Sequence, residues 1–302
     1  MPTSPCLKRV RTILHLLKEI LVEKSQAAEK VEEALQQMNQ VPPSLGASSL
    51  KEHEVRDLLG LSQDDRAREI WSLNEEDIIP VPTIVRDRLR DIREVLGGDP
   101  TNEATCRWIL DVILQTCIRM EQQQKKERCV TLIAESHLEL RVKYNGDDRI
   151  LSGQSDYSIW YDNRGMSINT VICEAKDEAG VSGGVPQCLA YMGMVHHIRK
   201  QEGRINAVVY GCVSDGDDFT FLRIDNEARY SKWSSPHGWN WGSKASNIIW
   251  THLVLITQSA SALSSPIYSA KKIKRTVDNA STGRQYWRLR IGSSNEDKIM
   301  SG

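Results

Sequence analysis

The chain has 302 residues, 39 basic and 40 acidic, for a formal net charge of −1, so no molecule-wide positive field draws in nucleic acid and any such attraction must be local. No apolar run reaches the roughly 18 residues that a membrane helix needs, which speaks against a membrane partner. Cys6, Cys106, Cys117, Cys129, Cys173, Cys188 and Cys212 are scattered without a CxxC pair, which fits reduced thiols in an intracellular protein, cytoplasmic or nuclear, better than a disulfide framework or a zinc site.

Residues 1–40 read as one long helix. Val10, Leu14, Leu17, Leu21, Ala28, Val31, Leu35 and Met38 follow alternating steps of four and three, with Lys24 in the gap, and make a heptad seam. A lone helix cannot bury such a seam, so it joins two copies in a homodimer, lies across the globular domain or stays weakly ordered. Lys18, Glu19 and Glu23 interrupt its apolar stretch, which does not read as a secretory signal. Pro42 and Pro43 end the helix, and residues 41–50 read as a linker. A helical segment, residues 51–100, follows, with KEHEVRDLLG and TIVRDRLRDIREVLGG as helices and Gly97-Gly98 as a C-cap. The mixed signs of Arg86, Asp87, Arg88, Arg90, Asp91 and Arg93 mark a solvated helix face.

From residue 101 to 262 the pattern is that of one α/β domain. Thr101 to Gln122 reads as a helix capped by Thr101, with Trp108, Ile109, Val112, Ile113 and Cys117 on its apolar side. Glu103 falls in its first turn, where a carboxylate favours the helix dipole. QQQKKER connects to the strand VTLIAESHLELRV, whose Glu135, His137 and Glu139 read as an exposed face rather than a metal cluster. The turn at Asn145-Gly146 leads to a second strand, ILSGQSDYSIWY, and Asp162-Asn163-Arg164-Gly165 favours a further turn into SINTVICEAK. Strand alternation puts Gln154, Asp156, Ser158 and Trp160 on one side of the second strand, and Ile172, Glu174 and Lys176 on one side of the third. With a bulge-sized offset, Asp156 comes level with Glu174. Two carboxylates with open positions suit Mg²⁺, to which the carbonyl of Ala175 adds a third ligand. Lys176 then lies near the metal-bound water and the charge developing on phosphorus, so the chemistry implied is phosphodiester hydrolysis.

DEAGVSGGVP reads as a flexible lead to a helix that opens near Pro186, on which Gln187, Tyr191, Met194 and Ile198 share a face. His196 and His197 read as surface or half-buried groups rather than a general base. A short apolar strand, Ala207 to Ser214, turns through Asp215-Gly216-Asp217-Asp218 into FTFLRI; the turn lacks the remaining ligands of a calcium loop. Trp233, His237, Trp239 and Trp241 crowd a Ser/Gly-rich loop, either packing beneath it or stacking on bases. SNIIWTHLVLITQS is an apolar helix closing the domain. Residues 263–302 form a basic tail, with Lys271, Lys272, Lys274, Arg275, Arg284, Arg288 and Arg290 around Tyr286 and Trp287, suited either to phosphates and bases or to plain solvation.

Asp156, the tripeptide Glu174-Ala175-Lys176 and Gln187 together resemble the PD-(D/E)xK nuclease superfamily. The resemblance implies a restriction-endonuclease-like core over residues 100–226, a helix, three antiparallel strands, a helix and a further strand, behind an N-terminal helical extension. It also implies that Asp156 and Glu174 hold the metal, that Lys176 assists the attacking water and that Gln187 completes the site. Glu103, from the helix preceding the first strand, is its auxiliary acid. The implied cofactor is Mg²⁺, or Mn²⁺ in its place, and the implied substrate is DNA ahead of RNA. The continuation CLAYMGMVHHI and VVYGCVSDGDDFTFLRI is similar to fungal members, whereas the proline that the family carries before its aspartate is Ser155 here. The alternative is a catalytically silent nucleic-acid-binding or assembly module on the same fold, against which the intact acids and lysine speak. A glycosidase carboxylate pair is made remote by the adjoining lysine.

Overall fold

The computed structural model describes residues 12–14, 29, 31–33, 41–124, 130–161, 169–175, 181–236 and 240–263, the description being of backbone alone in 161, 169–175, 181–182 and 260–263. Most of the heptad helix, the Asp162–Gly165 turn, Lys176, His237, Trp239 and residues 264–302 of the basic tail lie outside the described residues.

The elements in chain order are β1 (Ser44–Gly46), α1 (Glu52–Leu59), β2 (Ser62–Gln63), α2 (Ala67–Ile70), α3 (Thr83–Leu96), α4 (Glu103–Gln124), β3 (Val130–Tyr144), β4 (Asp147–Tyr161), β5 (Asn169–Ala175), α5 (Val181–Gln201), β6 (Val209–Ser214), β7 (Phe219–Ile224), β8 (Arg229–Ser234) and α6 (Lys244–Leu263). They form the mixed α/β class that the sequence predicts. One sheet runs β1-β4-β5-β6-β7-β8-β2, with β3 paired to β4. The β3–β4–β5 run is antiparallel, and β5 and β6 are parallel, joined by the crossover helix α5. No described helix is long and apolar enough to cross a membrane.

Residues 41–50, expected as a linker, instead contribute a strand. Ser44, Leu45 and Gly46 pair in parallel with Ile150, Leu151 and Ser152, and the carbonyl of Pro43 accepts a 3.0 Å bond from the Ile150 amide. The prolines end a helix but leave an extended chain free to pair, and Ala47 and Leu50 are buried beside it. The segment 51–100 is tied to the same sheet: β2 pairs with β8, and Val85 and Leu89 of α3 join the core. Gly97 adopts the left-handed C-cap of α3 that its position suggests.

The sheet is covered on both faces. On one side Tyr210, Cys212, Phe219 and Phe221 pack against Ile109 and Ile113 of α4 and Ile249 and Trp250 of α6. On the other, Val209, Val213, Leu222 and Ile224 pack against Leu189, Met192 and Val195 of α5 and Val55 of α1. The two-residue period of β6 and β7 divides their side chains between these cores. Trp108, assigned by periodicity to the apolar side of α4, is 48% exposed, because it falls on the helix face opposite the buried Ile109, Leu110, Ile113 and Cys117.

The β3–β4 hairpin departs from that alternation. Its turn, Asn145 at φ 52° and Gly146 at φ 84°, is the tight left-handed pair that matches strand twist. Leu138, Leu140 and Leu151, near the turn, join the α5 core, whereas Val130, Tyr157 and Ile159, of the same parity in each strand, join the α4 core. The switch coincides with Glu135, which has φ 55° in the middle of β3. Each strand of the hairpin thus serves both cores.

His252 on α6 is fully buried in an aromatic box, with ring centroids 4.9 Å from Trp233 and 5.5 Å from both Trp71 and Phe221. Burial disfavours the imidazolium and lowers its pKa to about 4. The unfolded chain, titrating near 6.5, binds a proton that the folded chain refuses, so stability is complete above pH 6.5 and falls as the pH drops toward 4. The loss amounts to about 3 kcal/mol, and burial of His196 lowers its pKa in the same direction. His252→Phe should therefore flatten the difference between denaturation midpoints measured at pH 7 and pH 4.5; an unchanged difference would rule out His252 as its source.

Candidate active site

The site is built on the start of α4. Asn102, not Thr101, caps this helix: its Oδ1 accepts the Thr105 amide at 3.1 Å, and Thr105 Oγ1 accepts the Asn102 amide at 3.4 Å. Asparagine one residue further on is the better cap because its carbonyl reaches the free amides of the first turn. Glu103 is thus the first helical residue, and Arg107 stands one turn later on the same face.

Arg107 gathers three carboxylates. Its Nη2 donates to Glu103 Oε1 at 3.0 Å and also to Asp156 Oδ1, while its Nη1 lies 3.6 Å from Glu135 Oε1. The Asp156 side chain is 8% exposed and the Glu135 side chain 63%, so the node runs from the protein interior to solvent. Burial alone would depress the Arg107 pKa, but the charges of Asp156 and Glu103 outweigh it and raise the value. Beside Asp156, the Tyr157 hydroxyl donates to Asp111 Oδ1 at 3.1 Å and lies 3.2 Å from the Arg107 carbonyl, which fastens β4 to α4. Burial, then the Asp111 carboxylate, push the Tyr157 pKa up, so this hydroxyl stays protonated.

Strand register brings a further acid to the same level. Ala134 pairs with Tyr157 and Ser136 with Ser155, which leaves Glu135 opposite Asp156 across β3 and β4. On the other side Tyr157 pairs with Cys173 and Ser158 with Ile172, so the next residue along β5 beyond Cys173, Glu174, reaches the level of Asp156. The bulge that sequence alternation required lies between Ile159 and Trp160. Glu135, Asp156 and Glu174 therefore form one cross-strand row of backbone positions. Glu174 and Ala175 end β5, paired with Val213 and Ser214 of β6.

Gln187 approaches from α5. This helix opens at Val181, five residues ahead of the expected start, and carries Pro186 inside it. A proline so near the N-terminus removes a single helical bond, so Gln187 sits in the second turn rather than the first. Its Nε2 donates to the Tyr191 hydroxyl at 3.0 Å, and that hydroxyl donates to the Gln154 carbonyl at 3.1 Å, two residues from Asp156. Gly153 makes room for the Tyr191 ring. Gln154 Nε2 in turn donates to Glu135 Oε2 at 3.2 Å. Glu103 and Asp156 are thus joined through Arg107, and Gln187 connects to the strand that carries Asp156. Lys176 lies outside the described residues.

Sequence reasoning missed Arg107 and the part Glu135 plays. The i,i+4 spacing of Glu103 and Arg107 was the available signal for the first. Nothing in the sequence marks Glu135 for a positive φ. His196, expected at the surface or half-buried, is instead buried with its Nδ1 2.8 Å from the Ala207 carbonyl, whereas His197 is exposed as expected and lies 3.0 Å from Gln201 Nε2. Trp241, buried, donates to the Gly216 carbonyl at 3.2 Å and packs beneath the loop it belongs to.

The donor set suits a hard cation. One cationic nitrogen, Arg107 Nη2, already bonds both Glu103 and Asp156, so two carboxylates converge on a single point. Mg²⁺ or Mn²⁺ takes such oxygens, and the backbone of Glu174 and Ala175 ends β5 at the level of Asp156. Among the described residues, no three His, Cys, Asp or Glu side chains form a metal-binding group. Compared with models of known families and with curated proteins, the chain matches no family model and no curated sequence.

Proposed function

We propose that the chain is a divalent-metal-dependent nuclease that hydrolyses phosphodiester bonds, in DNA ahead of RNA, with a site of PD-(D/E)xK type. The observation that carries this reading is the convergence of Glu103 and Asp156 on one cation position, at the sheet level that Glu174 reaches from β5. The element order α4, β3, β4, β5, α5, β6, with β5 parallel to β6, agrees with a restriction-endonuclease-like core. A bound Mg²⁺ supplies Lewis-acid polarisation of the phosphate and a more acidic water. Asp156, Glu103 and Glu174 hold the cation, and Lys176, two residues after Glu174, offsets charge developing on phosphorus. Gln187, held through Tyr191, positions the strand carrying Asp156 or the attacking water.

A second reading, a silent nucleic-acid-binding or assembly module, draws on the ion pair that Arg107 makes with Asp156. Incubation of the full chain with plasmid, single-stranded DNA and RNA, in Mg²⁺ or Mn²⁺ and in chelator, separates the two. Cleavage that depends on the metal is expected. Intact substrates in every metal condition, accompanied by a mobility shift of the nucleic acid, would favour the silent module instead.

A further inference from the structure

Arg107 is bonded to two of the candidate metal ligands, Glu103 and Asp156, and its position matters more than its charge. Its Nη2 stands between Glu103 Oε1 and Asp156 Oδ1. A Mg²⁺ or Mn²⁺ ion bonded to those oxygens at about 2.0–2.2 Å would claim the same space. Two cations cannot share it, since their mutual repulsion grows steeply at such separations. From this geometry we infer that Arg107 is an internal competitor of the divalent cation: the guanidinium neutralises the acids in the free protein, and metal binding requires it to leave.

The inference rests on the proposed metal site and adds how that site is regulated. The surroundings give the guanidinium somewhere to go. Arg107 is one-third exposed, and its third partner, Glu135, is the solvent-facing acid of the node, so its side chain can swing outward without becoming buried and unpaired. The guanidinium also screens the mutual repulsion of the three carboxylates. An ion then binds only the fraction of molecules in which the inner pair is open, and its apparent affinity is reduced by that fraction.

Calorimetric titration of the full-length chain with MnCl₂ tests this, with Arg107→Ala, Arg107→Gln as the size-conserving variant, and each combined with Asp156→Asn. Circular dichroism confirms that each variant is folded. Removing the guanidinium should tighten Mn²⁺ binding by about 10-fold or more and enlarge the Mn²⁺-induced rise in Tm, and adding Asp156→Asn should cancel both gains. Equal or weaker Mn²⁺ binding by both Arg107 variants, with binding by the unaltered chain intact, would overturn the competition while leaving the metal site standing. Absence of Mn²⁺ binding in the unaltered chain and in both Arg107 variants would remove the metal site and the competition together.

Discussion

Asp156→Ala should lower metal-dependent cleavage by at least about 10²-fold, the scale of losing one electrostatic stabiliser at a reacting centre. The carboxylate is nearly buried and sits where the Arg107 cation, the Glu135 strand and the Glu174 strand meet, and it is the least exposed of the three acids that Arg107 gathers. The fold should survive the change. Arg107 keeps Glu103 and Glu135 as partners and is partly solvated, so no buried charge is stranded. Lys176→Ala should lose activity on the same scale while leaving Mn²⁺ binding in place, because its role is toward phosphorus rather than the ion. Single-turnover rates on a labelled duplex, with Mn²⁺ binding measured in parallel, check both. Undiminished cutting by the Asp156 variant would end the assignment of this acid to the chemistry.

The second large effect is steric. Gly153→Ala would put a methyl group 2.5 Å from Tyr191 Cε1 and 2.6 Å from its hydroxyl oxygen. The ring is 2% exposed and is held at its tip by Gln187 and the Gln154 carbonyl, so it cannot swing clear without losing hydrogen bonds. The strain should cost about 1–3 kcal/mol, more than the roughly 0.4–1 kcal/mol that alanine gains over glycine through the unfolded chain. Urea midpoints for Gly153→Ala, Tyr191→Leu and the double variant check this. The two changes should be strongly non-additive, because the smaller side chain removes the ring that the methyl group strikes. A Gly153→Ala protein as stable as its parent would mean that α5 and β4 do not hold each other as described.

Much of the site was legible in the sequence because strand alternation and turn chemistry act locally. Asn145-Gly146 announced the long hairpin, and the offset that levels Asp156 with Glu174 followed from counting residues around the second turn. Other features depended on contacts distant in the chain. Pro43 and Leu45 read as linker because β4, the strand that recruits them, lies about a hundred residues away. Pro186 looked like a helix start because a proline inside a helix loses a bond and crowds the carbonyl four residues back, a cost that the packing of Leu189 and Met192 offsets. Arg107 was overlooked for a related reason: a charged residue on an amphipathic helix ordinarily faces water, and only the folded hairpin brings Asp156 and Glu135 within its reach.

The change of side in the β3–β4 hairpin bears on cooperativity. Because the turn end of each strand is embedded under α5 and the far end under α4, neither layer can open without exposing apolar surface belonging to the other. The two cores are therefore thermodynamically linked through this hairpin as well as through β6 and β7.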